Sequence, residues 1–147
     1  MRFIFVDEIL EMIPGKTIRA LKEIFADEDF FRDHFPGFPV VPGVLLTEMM
    51  AQAAGKCLDA EKKHQGKAML ARINSANFRD WARPGQTAII NAEIKTNREK
   101  FATATCNIEV MSKKVCSAEL FFTFVPFEEF APDYIDEVLE AYLSVNQ

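Results

Sequence analysis

The chain has 147 residues, enough for one domain with a sizeable core and too few for a second catalytic domain. Hydrophobic residues make up 49% and charged residues 27%, the balance of a soluble globular protein, and 14 Phe supply much of the core-forming material. The net charge of −5 belongs to residues 128–147, which hold six of the 22 acidic residues and no Lys or Arg; the near-neutral remainder lacks the basic face that nucleic-acid binding needs.

No apolar run reaches the ~20 residues that cross a bilayer. The opening "MRFIFVDEIL" has neither the long apolar region nor the small-residue cleavage site of a secretory signal. A cytoplasmic protein without membrane or nucleic-acid partners is expected. Cys57, Cys106 and Cys116 are odd in number and show no CxxC spacing, so they read as small buried hydrophobes rather than a disulfide framework or a zinc site.

In chain order, "FIFVDEILEMI" starts as a strand-like run and turns to helical spacing in which Ile9, Leu10 and Ile13 share a face, ended by Pro14-Gly15. "KTIRALKEIFA" reads as a strand. "DEDFFRDHFPGFPVVPG" has the Pro and Gly density of an ordered loop. Pro42 suits the first turn of a helix, where its missing amide has no intrahelical partner anyway. From Gly43 to about Leu58 the residues are apolar almost all round, which predicts a helix buried on every face. "DAEKKHQGK" reads as a solvated connector, with His64 a plain surface residue among lysines.

The second half, from Lys67 to Pro126, alternates with period two and is rich in β-branched and aromatic residues, with hairpin-like breaks at "RPGQ", "NREK" and "MSKK". Strands without interleaved helices imply an antiparallel sheet, and one sheet with one all-apolar helix implies a sheet wrapped around that helix, an α+β layout. After Pro132, Tyr134, Ile135, Val138, Leu139, Tyr142 and Leu143 share one face of an amphipathic helix whose other face is acidic. The expected organisation is a body over 1–127 with this helical segment, 128–147, appended.

On the central helix Val44, Glu48, Gln52 and, roughly a turn further, Gly55 form the only polar line. A carboxylate there must be paired, hydrogen-bonded or protonated, because an isolated buried charge costs several kcal/mol even after relaxation. Upstream, His34 sits on a loop stiffened by Pro36, Pro39 and Pro42. That loop feeds a helix start where free N–H groups at Gly43 and Val44 can hold a developing oxyanion. A base, an acid and an oxyanion site suit proton abstraction beside a carbonyl, followed by expulsion of a β-leaving group. The structural alternative is that Glu48 pairs with a buried arginine such as Arg72 or Arg79.

The stretch "HFPGFPVVPGVLLTEMMAQAAG", His34 to Gly55, closely resembles the signature of the β-hydroxyacyl-acyl carrier protein dehydratases of FabZ type. "FVDEILEMIPGKTIRALKEI" resembles that family's opening, and "INSANFRDWARPGQ" its "A-R-F-R-x-P-V-x-P-G-D" segment. The resemblance implies the hotdog fold, an antiparallel sheet wrapped around a long central helix. It also implies a lyase of fatty acid synthesis that removes water from a (3R)-hydroxyacyl thioester on acyl carrier protein, giving the trans-2-enoyl thioester with no metal or redox cofactor. In the family the catalytic histidine matches His34 and the catalytic acid Glu48. The oxyanion donor matches Gly43, at the helix start shared with Val44; the carbonyl that orients the imidazole matches Val40, and the residue that supports the acid matches Gln52. A glutamate at 48 resembles the FabZ type, whereas the FabA type, which also isomerises the double bond, has aspartate. Family members dimerise, often further to trimers of dimers, and the acid reaches the histidine from the other subunit.

The chain departs from the pattern at Asp33, where glycine is usual, at Gln86, where aspartate is common, and at Asn77 and Trp81. Trp81 is a candidate to narrow or reshape the acyl tunnel. An acidic carrier calls for a locally basic face, for which Arg79, Arg83, Lys95, Arg98 and Lys100 are candidates. Rival readings are a dehydratase of a specialised acyl pathway, a hotdog thioesterase and a non-catalytic acyl-thioester binding protein; the last has no need of both His34 and Glu48.

Overall fold

The computed structural model describes residues 2–61, 66–130 and 133–146. Its elements run β1 (Glu8–Ile13), β2 (Thr17–Glu23), a 3-10 turn (Asp29–Arg32), α1 (Gly43–Glu61), β3 (Gly66–Phe78), β4 (Thr87–Asn97), β5 (Phe101–Val110), β6 (Lys113–Pro126) and α2 (Glu137–Val145). The strands form one antiparallel sheet in the order β1-β2-β4-β5-β6-β3, and α1 packs against five of them. This is the sheet-around-helix layout expected from the sequence.

The alternation of the strands explains the seating of α1. Ala20, Ala88, Ala92, Ala102, Ala104 and Ala118 are all buried on the sheet, and their small side chains let the helix approach closely. Ile18, Ile90, Ile108, Leu120 and Phe122 fill the remaining space against Met49, Met50, Ala53, Ala54, Cys57 and Leu58, so the helix is the centre of the core. The three cysteines are free and buried, as read. Burial pushes the Cys57 thiol up to about 11, and those of Cys106 and Cys116 to about 12.

Four expectations change. The segment from Glu8 to Ile13 is a strand, not a helix: it is too short for a stable helix, and β2 offers it a hairpin partner with Ile9 opposite Ala20 and Met12 opposite Ile18. Pro14-Gly15 is the hairpin turn, with Gly15 at φ +73°, a conformation that suits glycine. "RPGQ" is not a hairpin, because β3 pairs with β6 while β4 pairs with β2, so the chain crosses between opposite parts of the sheet at this point. Helix α1 is not buried on every face: Val44 is 76% exposed, and Glu48 and Gln52 are half-buried. The C-terminal helix begins only at Glu137, so Tyr134 and Ile135 precede it as exposed residues. The reading of His64 as surface lies outside the described residues.

The "MSKK" break is a tight turn with both Met111 and Ser112 at positive φ, 54° and 66°, which suits the right-handed twist of β5 and β6. Strand β3 is the other sheet edge. It pairs only with β6 and leaves Met69, Leu70 and Ile73 exposed. Helix α2 docks on β1, with Leu139 in the core. Among the described residues no helix is long and apolar enough to cross a membrane.

Candidate active site

His34 is half-buried on a loop that closes on itself. Val40 N–H donates to the His34 carbonyl at 3.2 Å, while Phe35 and Phe38 exchange main-chain bonds at 3.1 and 2.8 Å around Gly37. The imidazole Nδ1 lies 3.1 Å from the Val40 carbonyl oxygen, and the ring stacks on Phe35 at 3.9 Å. A carbonyl only accepts, so Nδ1 carries the proton and Nε2 of the neutral ring is left with a free lone pair. Val40 thus fixes the orientation of the ring. The loop is fastened further on by Val41 N–H to the Ala82 carbonyl at 2.8 Å.

At the start of α1 the Pro42 carbonyl accepts from Leu45 and Leu46 at 2.9 and 3.1 Å, and the hydroxyl of Thr47 donates to the Gly43 carbonyl at 3.1 Å. Among the described residues no acceptor takes the N–H of Gly43 or Val44, so both point their donor capacity outward at the positive end of the helix dipole. A side chain at position 43 would meet the Phe78 ring, since a Cβ there would lie 3.2 Å from it. Glycine keeps this helix start open.

Glu48 accepts from the Gln52 amide at 3.0 Å. The Gln52 orientation is set by the N-terminal segment, because its Oε1 accepts from Phe5 N–H at 2.8 Å and its NH2 also donates to the Phe3 carbonyl at 3.1 Å. The structural alternative for Glu48 fails: Arg72 bonds Asn74 and lies over the Phe121 ring, while Arg79 bonds Ser117. Among the described residues no cation pairs with Glu48. Its carboxylate lines a groove of about 790 Å³ that runs along α1 past Gln52 and Gly55.

Within the chain the site is in two parts. No bond or ring contact joins His34 to Glu48 among the described residues, and His34 does not line the Glu48 groove. Trp81 does not line it either; it meets Phe38 edge-on at 6.1 Å, beside Arg83, which lies 4.7 Å over the same ring. Gln86 closes the turn before β4 by accepting from Arg83 N–H at 2.7 Å, a duty that an aspartate would also perform. Asp33 is exposed at the end of the 3-10 turn and makes no bond to the imidazole among the described residues.

The five candidate cations do not form one face. Arg79 and Arg83 lie before β4, near the start of α1, whereas Lys95 lies close to the far end of β4 and Arg98 and Lys100 beyond it, roughly 26 Å or more along the strand at 3.3 Å per residue. Lys95 is also ion-paired with Glu93.

Two groups escaped the sequence reading. Lys56 is buried and pairs with Asp136 at 2.7 Å; the four-residue step that leads from Glu48 to Gln52 lands next on Lys56, which could have revealed it. Lys22, also buried, holds Glu28 at 3.1 Å and so ties β2 to the segment before His34. Its inward position follows from the alternation Ile18, Ala20, Lys22, Ile24.

The antiparallel sheet wrapped around α1 defines a hotdog-fold protein, and a FabA-like domain matches residues 1–119. A 3-hydroxyacyl-[acyl-carrier-protein] dehydratase FabZ of Lactobacillus helveticus is 41% identical over 120 residues, covering 81% of each chain, and that of Listeria monocytogenes is 36% identical over 121 residues, covering 82% of this chain and 84% of its own. The chain belongs to this FabZ dehydratase family. Among solved structures, the dehydratase heterocomplex ApeI:P from Xenorhabdus doucetiae superposes with a TM-score of 0.69 at 16% identity, covering 88% of each chain, which shows the shared fold.

Proposed function

We propose that this chain dehydrates (3R)-hydroxyacyl groups carried as thioesters on acyl carrier protein, giving trans-2-enoyl thioesters in fatty acid synthesis in the cytoplasm. The observation that carries the reading is the Nδ1 contact of His34 to the Val40 carbonyl, which leaves Nε2 of the neutral ring as a base, on a chain whose central helix holds the carboxylate of Glu48 against the Gln52 amide with no cation beside it among the described residues. His34 Nε2 takes the C2 proton, and the electron pair moves onto the thioester oxygen, which the Gly43 N–H stabilises. Protonated Glu48 gives its proton to the C3 hydroxyl. The C3–O bond breaks, water leaves, and the enolate pair closes the C2=C3 double bond. No metal or redox cofactor enters this balance. A positioned acid or base contributes roughly 10²–10⁴ and an oxyanion donor about 10²–10³, so all three parts are needed.

The separation of His34 from Glu48 within one chain supports a homodimer in which each site takes its histidine from one copy and its acid from the other. Strand β3 offers the surface: its outer edge pairs with no strand among the described residues, and its exposed Met69 and Leu70 line the Glu48 groove. Trimers of dimers are compatible with this pairing. The acidic carrier docks at the Arg79 and Arg83 face beside the helix start; charge reversal of both raises KM for the carrier-bound substrate and leaves a short pantetheine thioester unaffected.

The decisive assay supplies 3-hydroxyacyl thioesters to the purified protein and follows enoyl absorbance, alongside His34→Ala and Glu48→Gln. Wild-type rates in either variant would discard the mechanism. Thiol release without enoyl formation would make the protein a thioesterase instead.

A further inference from the structure

We infer that the segment 134–138, pinned by the Lys56–Asp136 ion pair, limits the length of acyl chain that the site accepts. The inference rests on the dehydratase reading above. If Glu48 protonates the C3 hydroxyl, the rest of the acyl chain must occupy the space next to Glu48, which is the 790 Å³ groove. Its floor is the surface of α1 at Ala51 and Gly55, small residues that leave a trough. A Cβ added at Gly55 would meet only the Lys67 Nζ, at 3.9 Å, so the trough is open there. One wall is Met69, Leu70 and Phe122; the other is Tyr134, Ile135 and Val138.

The second wall lies beyond residue 119, outside the part of the chain that the family domain matches, and is held in place at three points. Asp136 Oδ2 binds Lys56 at 2.7 Å, its Oδ1 accepts from Leu139 N–H at 3.1 Å as the cap of α2, and Leu139 itself is buried in the core. The ion pair also ends the groove. Glu48 and Lys56 are eight residues apart, about 12 Å along the helix, which at about 1.3 Å per carbon is the tail of a 3-hydroxydodecanoyl group beyond C3. The Lys56 and Asp136 side chains are only 10% and 11% exposed. A longer tail would have to strip their remaining water or part them, and a buried pair resists both. Tails that reach this point are accepted and longer ones are turned away.

The test measures kcat and KM for 3-hydroxybutyryl, 3-hydroxydodecanoyl and 3-hydroxyhexadecanoyl thioesters on one carrier. In the wild type kcat/KM drops at the hexadecanoyl substrate by about tenfold or more, the effect of a few ill-fitting methylenes. Replacing the ion pair by apolar side chains of similar size in Lys56→Met/Asp136→Leu raises the hexadecanoyl-to-butyryl ratio about tenfold, through KM rather than kcat. Gly55→Leu fills the trough and lowers the dodecanoyl-to-butyryl ratio by a similar factor. If the double variant fails to fold, Gly55→Leu, which adds atoms to open space, decides the matter together with Ile135→Ala, a change at an exposed residue that widens the groove. A wild type indifferent to chain length, or folded variants with the wild-type ratios, overturns the inference and leaves the dehydratase reading standing. A wild type that dehydrates none of the three substrates removes both.

Discussion

The two ends of α1 treat polar groups in opposite ways. Among the described residues, the N–H groups of Gly43 and Val44 at the start have no acceptor, His34 has one ring nitrogen without a partner, and Glu48 has an amide for company but no cation. Toward the far end the buried charges are paired: Lys56 with Asp136, and Asp59 with Lys67 at 2.8 Å and with Ala68 N–H at 3.0 Å. Burial there pushes the Asp59 carboxyl up, and Lys67 works against that shift. Burial alone therefore does not mark a site in this chain. The candidate site coincides instead with spare hydrogen-bonding capacity held in place by neighbours.

The largest expected effect tests the open end. His34→Ala and Glu48→Gln should each lower turnover by roughly 10²–10⁴ while shifting the melting midpoint by only a few degrees, because both side chains are half-exposed. Glu48→Gln keeps an acceptor for the Gln52 amide, which makes it the cleaner of the two. A large loss of thermal stability with activity retained would reverse the comparison and make this end the structural one.

The closed end should respond in the other currency. Lys56→Ala leaves Asp136 buried without its cation and should cost about 3–5 kcal/mol in urea unfolding. Removing both charges in Lys56→Met/Asp136→Leu should restore part of that loss, since the second charge no longer needs a partner, less the roughly 1 kcal/mol of the α2 cap that Asp136 supplies to Leu139 N–H. Equal losses in the single and double variants would show that the side chains act by packing alone.

The sequence pattern made the open end legible and the closed end nearly invisible. His34, Glu48 and Gln52 stand out because proline, glycine and a lone acid interrupt an apolar run, and the structure finds Glu48 and Gln52 bonded to each other. Whether His34 meets Glu48 is not legible in one chain, because among the described residues no bond or ring contact joins the two and His34 does not line the Glu48 groove. Lys56 hides because its partner, Asp136, is 80 residues away, and only tertiary folding brings them together. The same holds for β1, where six residues with helical spacing are overruled by pairing with β2. Local pattern also could not show that "RPGQ" joins strands that are not neighbours, or that the candidate cations divide between the two ends of β4.

Between the two ends, Gln52 belongs to both modes, since it supports Glu48 and ties down Phe3 and Phe5. Gln52→Leu strips the Phe5 N–H of its acceptor and should destabilise by about 1–3 kcal/mol. It should also slow turnover, though less than Glu48→Gln does. Circular dichroism melts beside the enoyl assay separate the two consequences. Stability loss with unchanged turnover would assign Gln52 wholly to the closed, structural mode.

The smallest effect concerns the core that both ends share. In the unfolded chain the thiols ionise near 9.0, whereas in the folded protein Cys57 holds its proton to about 11 and Cys106 and Cys116 to about 12, chiefly because burial disfavours the thiolate. At pH between these values the unfolded state binds fewer protons than the native state, so stability falls as pH rises. The contribution is fully present below pH 9 and decays by up to about 1.4 kcal/mol per thiol for each pH unit above it. Urea unfolding of wild type and Cys106→Ala at pH 8 and pH 10 isolates one thiol: the variant should lose about 1 kcal/mol less over that interval, even if it is less stable at both. Parallel losses in the two proteins would mean that the alkaline decline comes from other groups, and that the cysteines act in the core by volume alone.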